Sequence, residues 1–480
     1  MNARMLGYFF GILLSIEAAL MLLPLVTAAA YSESVLPFLY TIALLLLVAI
    51  PLILLRPKRD RRFFAREGFV CAAGSWILLS LFGSLPFLFS GAIPSFADAL
   101  FETVSGFTTT GATILTEIET LPRGILLWRS LTHWVGGMGV LVFMLALLPS
   151  DNSRAMHLLR AEVPGPQKGK LVPKLRDTAM ILYGIYLGLT VLETVALLLC
   201  GLPFYDAFVS AVSTAGTGGF SVMNASIAGY ANPAAEWVIA VFMLLFGTNF
   251  NLFFFLLTGR LRLILRNEEF RIYLLIVLLS TAVITVNVLS TFESFGEGVR
   301  AAFFQVTSII STTGYITVNY ETWPTLSKVI LLLLTILGAS AGSTAGGLKI
   351  SRVMILFKNG LRELKQILRP RSVNVIRLDK EPVSLETVRL AENYLSLYLG
   401  VFLISAVLLS FEGQSVLTTF TTSLTCLNNV GPGLDVVGPV GNFSSFSVFS
   451  KLVLSLEMLI GRLEIIPLLL FFSPSTWRRV

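Results

Sequence analysis

Four stretches of the chain place a glycine at the end of a semi-apolar, hydroxyl-rich run. They read FADALFETVSGFTTTGAT around Gly111, YDAFVSAVSTAGTGGFS around Gly219, VRAAFFQVTSIISTTGYI around Gly314 and SVLTTFTTSLTCLNNVGPG around Gly431. A hydroxyl stands six residues before each glycine (Ser105, Ser213, Ser308, Thr425), and a polar residue two before it (Thr109, Thr217, Thr312, Asn429). The first two copies share an aspartate thirteen residues ahead, Asp98 and Asp206. Glycine adopts backbone conformations that cost other residues steric energy, so successive carbonyls can face one axis. Rings of such carbonyls can replace the hydration shell of a monovalent cation. The candidate ligands are Thr109, Thr110, Gly111, Thr217, Gly218, Gly219, Thr312, Thr313, Gly314, Asn429, Val430 and Gly431. A single TTGA or TGGF would carry little weight; four copies with matched offsets carry a great deal.

The elements that must position these stretches are membrane spans. Of 480 residues, 55% are hydrophobic and only 13% charged, against about 25% in an average soluble domain. Mean hydropathy is +0.82, which excludes an ordinary soluble enzyme. Apolar runs of membrane-crossing length fall near 5–30, 36–55, 69–92, 124–149, 177–201, 235–258, 270–291, 325–347, 390–411 and 447–472. The first ends in Ala28-Ala29-Ala30, a possible processing site, but a second span follows so closely that it reads as a retained helix. Segments 56–68, 150–176, 259–271 and 349–380 hold 25 of the 35 Lys and Arg, whereas the intervening segments hold only Arg123 and Arg300. That bias places the basic segments and both termini in the cytoplasm, so the net charge of +7 is an orientation signal.

Each glycine stretch then lies outside, between one span before it and one after. The glycines stand 108, 95 and 117 residues apart, giving a fourfold repeat of span, re-entrant loop and span. The fold class is an all-α polytopic membrane protein: two N-terminal helices (1–67), then pseudo-symmetric repeats at 68–150, 151–262, 263–380 and 381–480 around a central pathway. Irregular backbone at membrane depth survives only buried in protein or lining water. Short helices before each glycine would aim the negative ends of their dipoles at the pore centre.

Other chemistries find little support. Cys71, Cys200 and Cys426 with His133 and His157 form no metal-ligand spacing. There is no GxSxG, no HExxH and no paired aspartates on adjacent spans, so a membrane enzyme is not expected. No strand-associated GxGxxG and no GxxxxGK[ST] appears, so no nucleotide site is expected in this chain, nor a nucleic-acid partner.

With these residues in view the chain resembles the TrkH family within the Trk/Ktr/HKT superfamily of potassium transporters. The four stretches TTTGA, GTGGF, STTGY and NNVGPG, the GGMGVLVF run at 136–143, GSTAGGLK at 342–349 and GRLE at 461–464 are similar to that family's signatures, in order and over nearly the whole chain. The resemblance implies potassium uptake across a bacterial cytoplasmic membrane, with potassium bound at the twelve filter residues. In some plant members a serine replacing the first glycine accompanies sodium transport; all four positions here are glycine. A sodium-permeable or sodium-coupled transporter is the alternative. The resemblance also implies a homodimer and a cytoplasmic nucleotide-binding regulatory subunit of the TrkA type.

Within that reading, Gly338, Gly342, Ser343, Thr344, Gly346, Gly347 and Lys349 are expected to form a gate, a broken-helix loop below the filter; small-residue helix packing is the plainer reading. Arg462 lies inside the last apolar run, where a charge suggests function or pairing. It is either a positive barrier below the filter or the partner of Glu457 or Glu464. Glu17 and Glu193 are intramembrane acids, for transport or for helix pairing. His133 and Trp134 are expected as anchors at the external interface. Segment 358–380 begins as a basic amphipathic helix ending before Pro370, suited to anionic lipid or to a partner that moves the gate. Asp98, Glu102, Glu117, Glu119, Asp206, Glu297, Glu321 and Asp435 are expected near the external mouth, as a cation-attracting field, as solvated groups or as helix caps.

Overall fold

The computed structural model describes residues 3–54, 65–139, 175–372 and 374–477. The last ten residues of the fourth expected span, the end of the GGMGVLVF run and most of the basic segments 56–68 and 150–176 lie outside them.

Among the described residues the chain is helical, apart from one hairpin pairing Arg377–Leu378 with Glu381–Pro382. Helices α1 (Ala3–Leu20), α2 (Leu22–Ala30) and α3 (Leu36–Leu54) precede the repeats, with α1 packed on α3. Glu33 accepts from the main-chain N–H groups of Arg123 (2.7 Å) and Gly124 (2.9 Å), a carboxylate on a helix N-terminus that fastens this pair to the first repeat. Repeat 1 contains α4 (Ala65–Gly83), α5 (Leu85–Phe89), α6 (Phe96–Phe107) and α7 (Arg123–Gly137). Repeat 2 contains α8 (Leu175–Leu199), α9 (Phe204–Gly216), α10 (Pro233–Phe246) and α11 (Phe250–Leu257), and the short α12 (Leu261–Arg266) crosses into repeat 3. Repeat 3 contains α13 (Glu268–Val288), α14 (Phe295–Ile310), α15 (Thr325–Leu337) and α16 (Ile350–Leu368). Repeat 4 contains α17 (Leu385–Leu409), α18 (Val416–Leu427), α19 (Val448–Arg462), α20 (Ile466–Phe472) and the short α21 (Pro474–Trp477).

All ten expected spans carry helix. Six are long and apolar enough to cross a membrane, or seven with the bent pair α10–α11 counted as one. The others fall short because they are broken or extend beyond the described residues. Leu47, Leu199 and Val286 project outward, 69%, 84% and 76% exposed, the opposite of a water-soluble surface. The α10–α11 bend is 96°; α15 ends at Leu337 rather than reaching residue 347, and the last run breaks after Arg462, where Glu464 and Ile465 take positive φ.

The two inner breaks face each other. Ser340 N–H donates to Gly247 O (3.1 Å), Phe250 N–H to Gly342 O (3.0 Å), and the Thr344 hydroxyl to Phe246 O (3.2 Å). Backbone freed from one broken helix is thus satisfied by the other, as membrane depth requires.

The four short helices α6, α9, α14 and α18 end at the glycine stretches. Ser95, Ser294 and Ser415 cap three of them, accepting from Asp98, Glu297 and Thr418 N–H, and Pro203 precedes α9. Asp98 and Asp206 sit in first turns rather than at the caps, where their charge still complements the helix dipole; Asp98 also pairs with Lys451 at 2.6 Å.

Candidate functional site

Each short helix ends identically. The N–H two residues before the glycine bonds three residues back (Thr109 to Gly106, Thr217 to Thr214, Thr312 to Ile309, Asn429 to Cys426), and the next N–H bonds five back, to the carbonyl of the repeated hydroxyl residue (Thr110 to Ser105, Gly218 to Ser213, Thr313 to Ser308, Val430 to Thr425). This wide-turn closure satisfies helix-end carbonyls and accounts for the fixed six-residue offset. The hydroxyls themselves serve different neighbours: Ser213 Oγ meets His133 Nδ1 at 3.0 Å, and Ser308 Oγ donates to Tyr315 O at 2.7 Å.

Closure forces the left-handed region on Thr109, Thr217, Thr312 and Asn429, at φ of 57°, 56°, 58° and 55°. For β-branched threonine this is a genuine outlier; such strain costs about 1–3 kcal/mol per residue and gathers at functional sites. Gly111, Gly219, Gly314 and Gly431 also have positive φ, of 75°, 80°, 78° and 91°, while the residue between is not left-handed.

A side chain on any of the four glycines would strike the next repeat's carbonyl: Gly111 meets Gly218 O, Gly219 meets Thr313 O, Gly314 meets Val430 O, and Gly431 meets Thr110 O. The contacts run once round and close. Four pseudo-equivalent stretches therefore form one ring, with a main-chain oxygen at each junction and no room for a β-carbon. Asn429, the departure from threonine, donates its amide to Thr110 Oγ1 (3.0 Å) and Met458 O (3.0 Å), joining repeat 4 to repeat 1.

The loop Gly338–Lys349 lies against this ring. Gly346 N–H donates to Thr312 Oγ1 at 2.7 Å, and Gly346 abuts Asn428 O and Asn429. Lys349 donates to the carbonyls of Ala345 and, at 3.1 Å, Gly346, so it tightens the loop upon itself. Arg462 Nη1 donates to Thr344 O (2.8 Å), and Nη2 to Gly136 O (2.6 Å) and Gly137 O (2.7 Å). Its charge therefore rests on the loop and on the carbonyl end of α7. The acids considered as its partners are engaged elsewhere: Glu464 pairs with Arg352 at 2.5 Å, and Glu457 accepts from Ser423 at 2.6 Å.

Glu269, at the start of α13, was not singled out by the sequence. Its Oε1 accepts from Ala341 N–H (2.8 Å) and Ser351 N–H (3.1 Å), pinning the loop on both sides. In sequence, Glu268-Glu269 reads as ordinary first-turn acids. Arg129 and Glu102 were also missed as a pair: they meet at 2.6 Å, 2% and 0% exposed. Arg129 carries the signal that marked Arg462, a charge inside an apolar run. Glu102 is buried rather than solvated at the mouth. His133 is also fully buried, stacked on Phe220 at 4.1 Å, and so is no interfacial anchor, whereas Trp134 is partly exposed and donates to Thr190 Oγ1 at 3.3 Å. Glu17 and Glu193 are buried without an ion pair among the described residues. Asp435 accepts from Ser415 and Thr418 hydroxyls, both at 2.6 Å, and these bonds hold its carboxyl below the usual carboxylate range. Glu119 accepts from Asn224.

Comparison with known proteins converges with this geometry. The TrkH family model, described as "Cation transport protein", matches residues 37–479. The chain is 37% identical over 487 residues to the Trk system potassium uptake protein TrkH of Salmonella typhimurium, and 36% identical to that of Escherichia coli K12, with all of both chains covered in each case. The crystal structure of the potassium transporter TrkH from Vibrio parahaemolyticus matches with a TM-score of 0.90 at 32% identity, covering all of both chains. The chain is a polytopic, mostly helical member of the TrkH family of cation transport proteins.

Proposed function

We propose that this protein mediates potassium uptake across the bacterial cytoplasmic membrane, the twelve residues of the glycine ring acting as its ion filter. The observation carrying this reading is the closed circuit of four glycines, each against the carbonyl of the next repeat, at the ends of four helices whose dipoles favour a cation. The relatives' names supply the ion. The loop Gly338–Lys349 is the gate in this reading, and Arg462 a positive charge holding it closed; the bond from Gly346 to Thr312 and that from Arg462 to Thr344 support both roles. The charge bias along the chain favours cytoplasmic termini. A homodimer with a TrkA-type cytoplasmic regulatory subunit completes the reading.

The test is ⁸⁶Rb⁺ flux into vesicles containing the purified chain, with competing K⁺ or Na⁺. Preference for K⁺ is expected, and Gly111→Ser should abolish it because the new β-carbon meets Gly218 O. Indifference of the ratio to that substitution would sink the filter assignment.

A further inference from the structure

The four positions two residues beyond the ring glycines are equivalent by repeat, yet three different devices hold them. In repeat 3, Ile316 bonds through its N–H to Ser226 Oγ (3.2 Å) and through its carbonyl to Ala228 N–H (3.2 Å). In repeat 4, Gly433 bonds to Val437 O (2.7 Å) and accepts from the Tyr320 hydroxyl (3.3 Å). In repeats 1 and 2 one buried ion pair of repeat 1 serves both positions. Glu102 accepts from the Thr113 hydroxyl (2.9 and 3.1 Å) and Ile114 N–H (3.0 Å), and Arg129 Nη1 donates to Ser221 O at 3.0 Å. The guanidinium also lies 3.5 Å from the centroid of the Phe220 ring, and His133, stacked on Phe220, fills the space where a Gly218 side chain would go. Nine residues ahead of the other glycines stand Ser210, Gln305 and Thr422, so no other repeat can build this link.

Burying two charges recovers its desolvation cost only with good geometry and further hydrogen bonds, and apolar replacements are often no less stable. Global stability is therefore a weak reason for the pair. What it does geometrically is tie the limb leaving Gly111 to the limb leaving Gly219. We propose that Arg129 and Glu102 are positioning residues for ion discrimination: their ion pair fixes the separation of the first two filter stretches and so the ring an ion must fit. The inference rests on the filter reading above.

The test uses the full chain in vesicles and reads the ratio of Na⁺ to K⁺ concentrations that halve ⁸⁶Rb⁺ uptake. The variants are Arg129→Lys, which keeps the charge but loses the planar fork, and the apolar pair Arg129→Met/Glu102→Leu; Gly111→Ser is the reference. Discrimination should fall by about tenfold in both variants, the lower range for loss of outer-shell support around a bound metal, while membrane yield and thermal melting stay close to the unaltered chain. An unchanged ratio in either variant, with Gly111→Ser still losing discrimination, overturns the proposal and leaves the filter reading standing. An unchanged ratio in Gly111→Ser as well overturns the filter reading itself. Failure of Arg129→Lys to insert or fold assigns the pair a structural role and also overturns the proposal.

Discussion

Three threonines and one asparagine held left-handed are the residue-scale signature of this protein. The strain persists because each is fixed on both sides: the helix-end hydrogen bonds precede it, and a glycine without a β-carbon follows two residues on. Two charged residues then act on the loop beneath. Arg462 contributes charge-assisted hydrogen bonds to Thr344, Gly136 and Gly137, which are stronger than neutral ones. On the gate reading proposed above, Arg462→Ala should free the loop and remove a positive charge beneath the ring, raising K⁺ flux in vesicles at matched protein amount; lower flux from well-inserted protein would reassign it to a structural role. Both N–H bonds of Glu269 go to its single Oε1 atom, so Glu269→Gln keeps the acceptor and loses only the charge that strengthens it, whereas Glu269→Ala removes it. The alanine variant should raise flux in the same direction and speed amide exchange at Ala341 and Ser351, read by mass spectrometry.

At the scale of elements, two broken helices fit one another. The break in repeat 3 is supported by the break in repeat 2 through Gly247, Phe246 and Gly342, and it touches the ring through one hydrogen bond, from Gly346 to Thr312. Thr312→Val keeps the shape and removes that acceptor. Losing one such bond costs about 1 kcal/mol, a shift of roughly fivefold in the loop's populations, so channel open probability should rise by about that factor in bilayer recordings. Shortening the loop between Gly342 and Gly346 should raise flux further, and unchanged flux would count against a gate. Beyond the loop, α16 leads to Lys358, which pairs with Glu268 at 2.5 Å, while Asp379 of the hairpin accepts from Glu268 N–H and Asn267. A force on the hairpin thus reaches the start of α13, one residue from Glu269.

For the whole molecule, four repeats are alike at the ring and unlike around it. The circuit from Gly111 to Gly431 needs all four copies, yet repeat 2 has a 96° bend, repeat 3 a loop, and repeat 1 a buried ion pair that reaches repeat 2 through Ser221 O. Orientation is a property at this scale. In a background lacking the native cysteines, Ser444→Cys should react with an impermeant thiol reagent added outside intact cells, and Lys365→Cys only after permeabilisation; both positions are exposed. The reverse pattern would invert the topology drawn from basic charge.

Sequence alone determined the spans, the repeat and the ring residues, because membrane length, charge bias and matched offsets are local quantities that survive in one dimension. The end of α16 before Pro370 and the glycines at 342–347 were legible for the same reason, whereas the caps were not: Ser95 caps α6 where Asp98 was expected. Only the tertiary structure decided who meets whom: that Arg462 rests on carbonyls, that His133 and Glu102 lie inside, that Glu269 pins the loop, and that Gly247 marks a break facing Gly338–Lys349. Glu102 and Arg129 are 27 residues apart and Glu269 and Ala341 are 72 apart; no periodicity links such positions. Partner choice for a buried charge is set by which groups the packed helices leave unsatisfied, and that becomes defined only once the helices have packed.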